Sequence, residues 1–252
     1  MPRCHYFWTL ILVFTSCFFF KRQNEFQHGL EFYKRGDFEQ AAGKFTRFSV
    51  KRAQNDTVLY YLFDCYQRLG ETEKGIGVLE EFVRRKSSDV NVYLHLFRYR
   101  QRRSDFSGMS GILEKIRPSM RTRFNAEFPL TRQLLAELTC GAAQMSLGID
   151  PVSYAVEQGL LFRFPDGNLY EQDTLTGGNL IIALDSKLPP FYPRHFYAVP
   201  AISSHSFLYL PYMRLVEYGI LPIDPDLKPA APAPLMNAFD AINSLREQGL
   251  IK

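Results

Sequence analysis

The segment GLEFYKRGDFEQAAGKFTRF, residues 29–48, decides the fold, because its pattern returns twice at a spacing of 34 residues. The later copies are FDCYQRLGETEKGIGVLEEF (63–82) and FRYRQRRSDFSGMSGILEKI (97–116). In each copy one position interrupts a helical pattern of apolar residues, and that position holds Gly36, Gly70 or Ser104. Because glycine at such a position ends a helix, each copy predicts a helix, a short turn and a second helix.

Residues 23–118 resemble three tetratricopeptide repeats, with the third copy departing where Arg100 and Ser104 replace an aromatic residue and a glycine. The resemblance implies a short solenoid whose concave groove binds an extended or helical peptide. The groove positions that it implies are Tyr33, Lys34, Tyr60, Asp64, Gln67, Arg68, Leu94, Arg98, Gln101 and Arg102.

One repeat position of this groove is basic in all three copies, as Lys34, Arg68 and Arg102. These residues form either a column that attracts an acidic peptide or a solvated helix face. The family's clamp for a peptide C-terminal carboxylate is not matched, since apolar and aromatic residues replace its polar groups at Phe26, Tyr60 and Leu94. Pure scaffolding therefore stays open beside peptide binding.

Two further segments flank the repeats. Residues 119–149 predict helices, interrupted near Pro129, that cap the solenoid and bury Cys140. Residues 1–20 contain an apolar run that is short for a membrane span and is typical of a secretory signal. Val13-Phe14-Thr15-Ser16-Cys17 resembles a bacterial lipobox, which implies lipidation at Cys17; a plain cleaved signal or an uncleaved anchor is the alternative.

From residue 150 to residue 252 the sequence changes to helices separated by loops rich in Pro, Gly and Asp. DPVSYAVEQGLLFRF predicts a helix that stops at Gly159, and FPDG predicts a tight turn with positive φ at Gly167. Thr174 or Thr176 is expected to cap the next helix, which runs through Leu188. A second copy predicts a helix ending at Gly219 and a last helix from about Pro234.

These two copies resemble the S-layer homology motif, which holds exported proteins on cell-wall polymers. The resemblance rests on AVEQGLLFRFPDGNLYEQDTLTGGNLIIAL and, in the second copy, on VPAISSHSFLYLPYMRLVEYGILP with LKPAAPAPLMNAFDAINSL. The wall-binding candidates that it implies are Asp166, Gly167, Thr176 and Asn179.

Binding in that family depends on Thr-Arg-x-Glu at the start of the second helix, and this chain departs there. Gly177 and Asn179 stand where the first copy needs Arg and Glu, and Met236 with Asn237-Ala238 stand there in the second copy. Without that Arg the motif loses its anion contact. The ligand is then a neutral glycan, or the module has become a protein-interaction or packing element.

Composition narrows the class of function. Lys and Arg outnumber Asp and Glu between residues 24 and 123, and the reverse holds from residue 150 onward. The basic residues are too dispersed to indicate a nucleic-acid partner. The sequence contains no phosphate-binding loop, HExxH or Gly-x-Ser-x-Gly motif, and four scattered cysteines predict neither a zinc site nor a disulfide framework. We expect no enzyme activity, no cofactor and no metal.

The sequence thus predicts a mainly α-helical protein: a tetratricopeptide-like solenoid followed by a small S-layer-homology-like module. The expected function is that of a cell-envelope adaptor, exported as a lipoprotein of the outer membrane that faces the periplasm. It would bind an envelope protein through the repeats and peptidoglycan through the C-terminal module. The alternative is an assembly subunit with protein partners and no glycan ligand.

Overall fold

The computed structural model describes residues 25–51, 56–145, 148–224 and 227–251. Within these ranges the chain forms twelve helices and no β-strand, with two isolated bridges between loops. The prediction of a mainly helical protein is therefore confirmed. Cys17 and the apolar segment at residues 1–20 lie outside the described residues. Among the helices of the described ranges, none is long and apolar enough to cross a bilayer.

The chain divides into two compact units, with the boundary between Val92 and Tyr93. The boundaries expected from the sequence at residues 118 and 149 both fall inside the second unit. The described residues of the first unit contain four complete helices, with α2 packed on α3 and α3 packed on α4. These helices are α1 (25–34), α2 (Phe38–Lys51), α3 (Asp56–Arg68) and α4 (Thr72–Arg84).

The turns of the three sequence copies share one backbone geometry. Gly36 and Gly70 have φ of +80° and +72°, and Ser104 adopts φ +53° although it carries a side chain. The amide that follows donates to a carbonyl five residues earlier in every copy: Asp37 to Phe32, Glu71 to Tyr66 and Asp105 to Arg100. This bond closes the helix end, because it satisfies a carbonyl that the helix leaves unpaired. The predicted repeat of helix, turn and helix is thus present in all three copies.

A glycine lies at the helix contact in each of the first two pairs, and in the first pair the packing requires it. A Cβ on Gly29 would lie 2.6 Å from the Phe45 ring, so only glycine lets α1 approach α2 at this point. In the second pair the glycine lies on the second helix instead of the first. Phe63 on α3 replaces the glycine, and Gly75 on α4 faces it, with its Cβ position 3.5 Å from the Phe63 ring. Complementary sizes keep the packing tight in both pairs.

The second unit is built around α8 (Arg132–Ala142), in which every residue except Gln133 is buried. Helices α6, α9 and α12 all pack on α8. Cys140 is completely buried there, as predicted. Helix α5 (Val90–Arg102) belongs to this unit from Tyr93 onward. The remaining helices described in this unit are α6 (Phe106–Leu113), α7 (Pro118–Glu127), α9 (Pro151–Glu157), α10 (Gly177–Asp185), α11 (Tyr209–Glu217) and α12 (Leu235–Glu247).

Helix ends in the region after residue 150 largely follow the sequence signals. Gly159 and Gly219 take φ of +68° and +69° just beyond α9 and α11, and α12 begins directly after Pro234. Helix α10 ends at Asp185, before the predicted Leu188, because the chain continues there in turns. Those turns are closed by the amide of Leu188, which donates to the Asp185 carbonyl at 3.0 Å.

Candidate functional site

A cavity of about 260 Å³ opens in the second unit beside the start of α8. Its floor is apolar, and its polar contributors are Arg132, Arg163 and Asn179. Exposed aromatic side chains border it, since Phe162 and Phe164 are 49% and 42% exposed. An apolar pocket with a few convergent polar groups is the usual form of a small-ligand site.

Arg132 is the most unusual residue of this cavity. Only 7% of its surface is exposed, yet it forms no salt bridge within the described part of the chain. One guanidinium nitrogen donates to the Phe162 carbonyl at 2.6 Å, and the guanidinium lies over the Phe164 ring at 4.9 Å. Its Nε is buried without a hydrogen-bond partner. Burial lowers the pKa of Arg132, and the charge of Asp173 partly opposes that shift.

The charge at this cavity differs from the charge of the surrounding region. Residues 150–252 are acidic overall, but Arg132 and Arg163 line the cavity and no carboxylate does. An incompletely paired buried cation is costly for a folded protein unless something else compensates it. The cavity is therefore electrostatically suited to an anionic group.

The predicted turn Phe164–Gly167 is confirmed and lies at the mouth of this cavity. The Gly167 amide donates to the Phe164 carbonyl at 2.8 Å, and Gly167 has φ +83°. Asp166 accepts hydrogen bonds from the Tyr170 hydroxyl and, at 2.9 Å, from the Asn168 amide. These bonds, the Tyr170 bond first, lower the pKa of Asp166. Asp166 therefore holds the turn, and its side chain is fully exposed.

Thr176 caps α10, which settles the choice between Thr174 and Thr176. Its Oγ1 accepts from the Asn179 amide at 3.2 Å and donates to the Asn179 side-chain oxygen at 2.9 Å. Asn179 is exposed and lines the cavity, whereas Thr176 does not. The four wall-binding candidates thus divide between the mouth of the cavity, its wall and the cap of α10.

Three loops come together next to the cavity, and each leads into a helix. The Leu175 amide donates to the Leu130 carbonyl, and the Ala233 amide donates to the Leu175 carbonyl, both at 2.8 Å. The loops before α8, α10 and α12 therefore lie side by side. Thr131 caps α8 through the Leu134 amide at 3.1 Å, as Thr176 caps α10. Helix α8 is structurally equivalent to α10 in this respect.

Arg132 was missed by the sequence reasoning, which placed the wall-binding module after residue 150. A local signal was present, because Thr131-Arg132 carries the Thr-Arg pair of the motif at the first residue of a helix. The Glu of that motif is absent, since Leu134 stands in its place. No short-range pattern indicated that Arg132 would contact Phe162 and Phe164, thirty residues later.

In the first unit, three of the predicted groove residues form one cluster. Asp64 accepts from the Tyr33 hydroxyl at 2.5 Å and from Arg68 Nε at 2.7 Å. Burial raises the pKa of Asp64, but the bonds from Tyr33 and Arg68 outweigh it, so the net shift is downward. Lys34 and Gln67, which are sequence neighbours of these residues, are exposed. Tyr60 lies outside the cluster, and its hydroxyl donates to Asp89.

The predicted groove residues of the second unit are engaged within that unit. Arg98 pairs with Glu127, and Arg102 Nε donates to the Arg98 carbonyl at 3.3 Å. Gln101 donates to the buried Glu137 at 2.8 Å. Leu94 is only 4% exposed, so it belongs to the core and is not available to a ligand. Of the three basic repeat positions, Arg68 is thus paired with a carboxylate of its own unit.

Comparison with known proteins found no matching family model, no matching curated protein and no matching solved structure. The resemblances to the two repeat families therefore rest on the sequence patterns described above. The class that the fold defines is that of a mainly helical protein with two compact units. Within the described residues, no group of three or more His, Cys, Asp or Glu side chains is placed to hold a metal ion.

Proposed function

We propose that this protein is a non-catalytic adaptor of the bacterial cell envelope. It binds an envelope protein through its tetratricopeptide-like repeats and associates with peptidoglycan through its S-layer-homology-like region. In this proposal the chain is exported, lipidated at Cys17, and held at the outer membrane facing the periplasm.

The observation that carries the proposal is the guanidinium of Arg132 at the cavity of the second unit. Peptidoglycan presents carboxylates on its muramyl groups and its stem peptides, and the positive charge of Arg132 attracts a carboxylate. Exposed Phe162 and Phe164 offer apolar faces beside this charge, and Asn179 offers an amide. Arg132 thereby supplies the charge that the motif lacks at Gly177.

The test is cosedimentation of the full-length protein with purified cell-wall sacculi across a salt series. We expect saturable binding that survives moderate salt, and at least tenfold weaker binding for Arg132→Met. Arg194→Gln serves as the control, because it removes one charge from an exposed residue of the same unit that does not line the cavity. Wild-type protein that sediments no more than an unrelated protein would refute wall association.

The alternative function, an assembly subunit without a glycan ligand, is favoured by a different observation. The connector between α10 and α11 exposes several large aromatic side chains, with Tyr192 and Phe207 at 73% and 79%. Part of this connector is anchored, since the Arg194 amide donates to Glu217 at 2.7 Å. Exposed aromatic clusters of this kind often mark protein contacts. If sacculi binding fails, this connector becomes the first surface to mutate in a search for protein partners.

A further inference from the structure

A second surface on the first unit has the chemistry of a peptide-binding groove. A groove of about 560 Å³ runs between α2 and α4 over α3. None of the predicted concave-groove residues lines it, so it is separate from the surface used in the proposed function. Leu59, Leu62 and Val78 form its apolar floor, and each is nearly buried in the unit.

The rim of this groove carries more positive than negative charge. Lys74, Arg84 and Arg85 line it, with Glu81 as the only acidic residue of the lining, and Lys74 pairs with Glu71 at 2.9 Å. Glu81 is shared by two guanidinium groups, since Arg84 pairs with it and Arg85 Nε contacts it at 2.6 Å. One carboxylate cannot satisfy two guanidinium groups, each of which offers five N–H donors. Arg85 has a buried guanidinium nitrogen that lacks any hydrogen-bond partner.

Gly77 on α4 leaves the groove open at the middle of that helix. It lines the groove in the middle of a helix, where glycine is less favourable than alanine by about 1 kcal/mol. Neither packing nor backbone conformation requires glycine there, because a Cβ would meet nothing within 4 Å and its φ is not positive. Glycine at such a site leaves the helix backbone open to close approach by another molecule.

We propose that this groove binds an acidic peptide segment that inserts an apolar side chain between α2 and α4. The apolar side chain occupies the floor at Leu59, Leu62 and Val78 and passes over Gly77. An adjacent Asp or Glu of the peptide accepts hydrogen bonds from Arg84 and Arg85. A peptide fits better than a nucleic acid, because the floor is apolar and a phosphate backbone has no apolar side chain to occupy it.

The experiment measures fluorescence anisotropy of labelled decapeptides with the full-length protein. One panel alternates Glu with Leu, Phe or Tyr, and matched panels carry Gln or Lys in place of Glu. We expect the Glu panel alone to contain binders, with affinity that falls as salt rises. A dT oligonucleotide is titrated in parallel, and tighter binding of this probe than of any Glu peptide would overturn the assignment to a peptide.

Two variants locate the binding site. Gly77→Phe fills the groove and should weaken the best Glu peptide about tenfold or more, a loss equivalent to one well-placed contact. Its matched control is Gly43→Phe, because Gly43 is also a helical glycine with open space around its Cβ and lies outside the groove. Arg85→Gln should weaken the same peptide by about tenfold, as expected for a charge-assisted hydrogen bond.

The outcomes separate this proposal from the proposed function. Loss of peptide binding in Gly77→Phe but not in Gly43→Phe supports the groove, whether or not the protein binds sacculi. Equal weakening by both variants, equal binding of Glu and Gln peptides, or no binder in the Glu panel would overturn it. Each variant is also melted and followed by circular dichroism. An unchanged melting temperature shows that a loss of the anisotropy change reflects lost peptide binding and not unfolding.

Discussion

The guanidinium carbon of Arg132 lies 4.9 Å from the centroid of the Phe164 ring, so a buried cation faces an aromatic side chain that is 42% exposed. The aromatic face offsets part of the cost of burying the charge. The hydrogen bond to the Phe162 carbonyl offsets a further part. Since Nε has no partner, the compensation is incomplete, and this residual cost is the basis of the first prediction.

Replacing Arg132 by Met should leave the protein at least as stable as the wild type. Methionine keeps the packing volume and removes a buried charge with an unpaired donor, a change that is often neutral or stabilising by about 1 kcal/mol. A purely structural role for Arg132 would instead make the variant clearly less stable. The free energy of unfolding, measured by urea titration, distinguishes the two cases. Leu134→Ala in the same helix is the reference for a cavity in the core, and it should lower the free energy of unfolding by about 2–5 kcal/mol.

Gly29→Ala should destabilise the first unit. The new Cβ would lie 2.6 Å from the Phe45 ring, which is itself completely buried and has little room to move. We expect a loss of about 1–3 kcal/mol, typical of overpacking in a core. Gly43→Ala is the matched control, since its Cβ meets nothing and alanine favours the helix by about 1 kcal/mol. The free energy of unfolding of both variants is measured by urea titration. A decrease for Gly29→Ala with an increase for Gly43→Ala would confirm the packing argument, whereas an increase for both would refute it.

Ser104→Gly should stabilise the protein. Ser104 adopts φ +53° at the position where the first two copies have glycine, and its Cβ makes this conformation unfavourable. Relief of that strain is worth about 1 kcal/mol. Ser107→Gly, at an exposed position of α6, makes the same chemical change in a helix and should be destabilising by a few tenths of a kcal/mol. Differential scanning calorimetry of both variants tests the difference in sign.

Local features of the fold were predictable because they depend on residues close together in sequence. The 34-residue period located three helix pairs, and Gly36 and Gly70 end helices because they adopt positive φ. The turn at Phe164–Gly167 and the start of α12 after Pro234 follow from the same kind of signal. In each case one or two residues restrict the backbone enough to decide the local structure.

The site was not predictable in the same way, because its parts come from distant segments. Arg132 contacts Phe162 and Phe164 because α8 lies at the centre of the second unit. That role depends on contacts of α8 with α6, α9 and α12, which no local periodicity specifies. The pairing of the Leu175 loop with the loops at Leu130 and Ala233 is equally long-range. The turn at Phe164–Gly167 and the cap at Thr176 were therefore predictable from the sequence, whereas the position of Arg132 beside them was not.

Glu137 should make the protein less stable as pH rises. Burial raises the pKa of Glu137 above its usual value near 4.5, and the hydrogen bonds from Gln101 and Gln133 oppose this shift only in part. The folded state therefore holds a proton that the unfolded state releases, so the stabilisation is complete below pH 4.5 and is lost as pH rises toward the raised pKa. Other carboxyl groups titrate in the same range, so the wild type must be compared with Glu137→Gln. The difference in unfolding free energy between the two proteins should shift in favour of Glu137→Gln between pH 4 and pH 7, and a constant difference would contradict the assignment.

A fragment of residues 150–252 should not fold by itself, whereas a fragment of residues 93–252 should. Helices α9 and α12 both pack on α8, so truncation at residue 150 removes the helix that covers their apolar faces. It also removes Arg132, which lines the same cavity as Asn179. We expect the shorter fragment to melt without a cooperative transition and to be digested rapidly by protease. The longer fragment keeps the whole second unit and should melt cooperatively. A cooperative transition in the 150–252 fragment would mean that α8 is dispensable for this core, and that residues 150–252 fold as a unit of their own, as the change in sequence composition suggested.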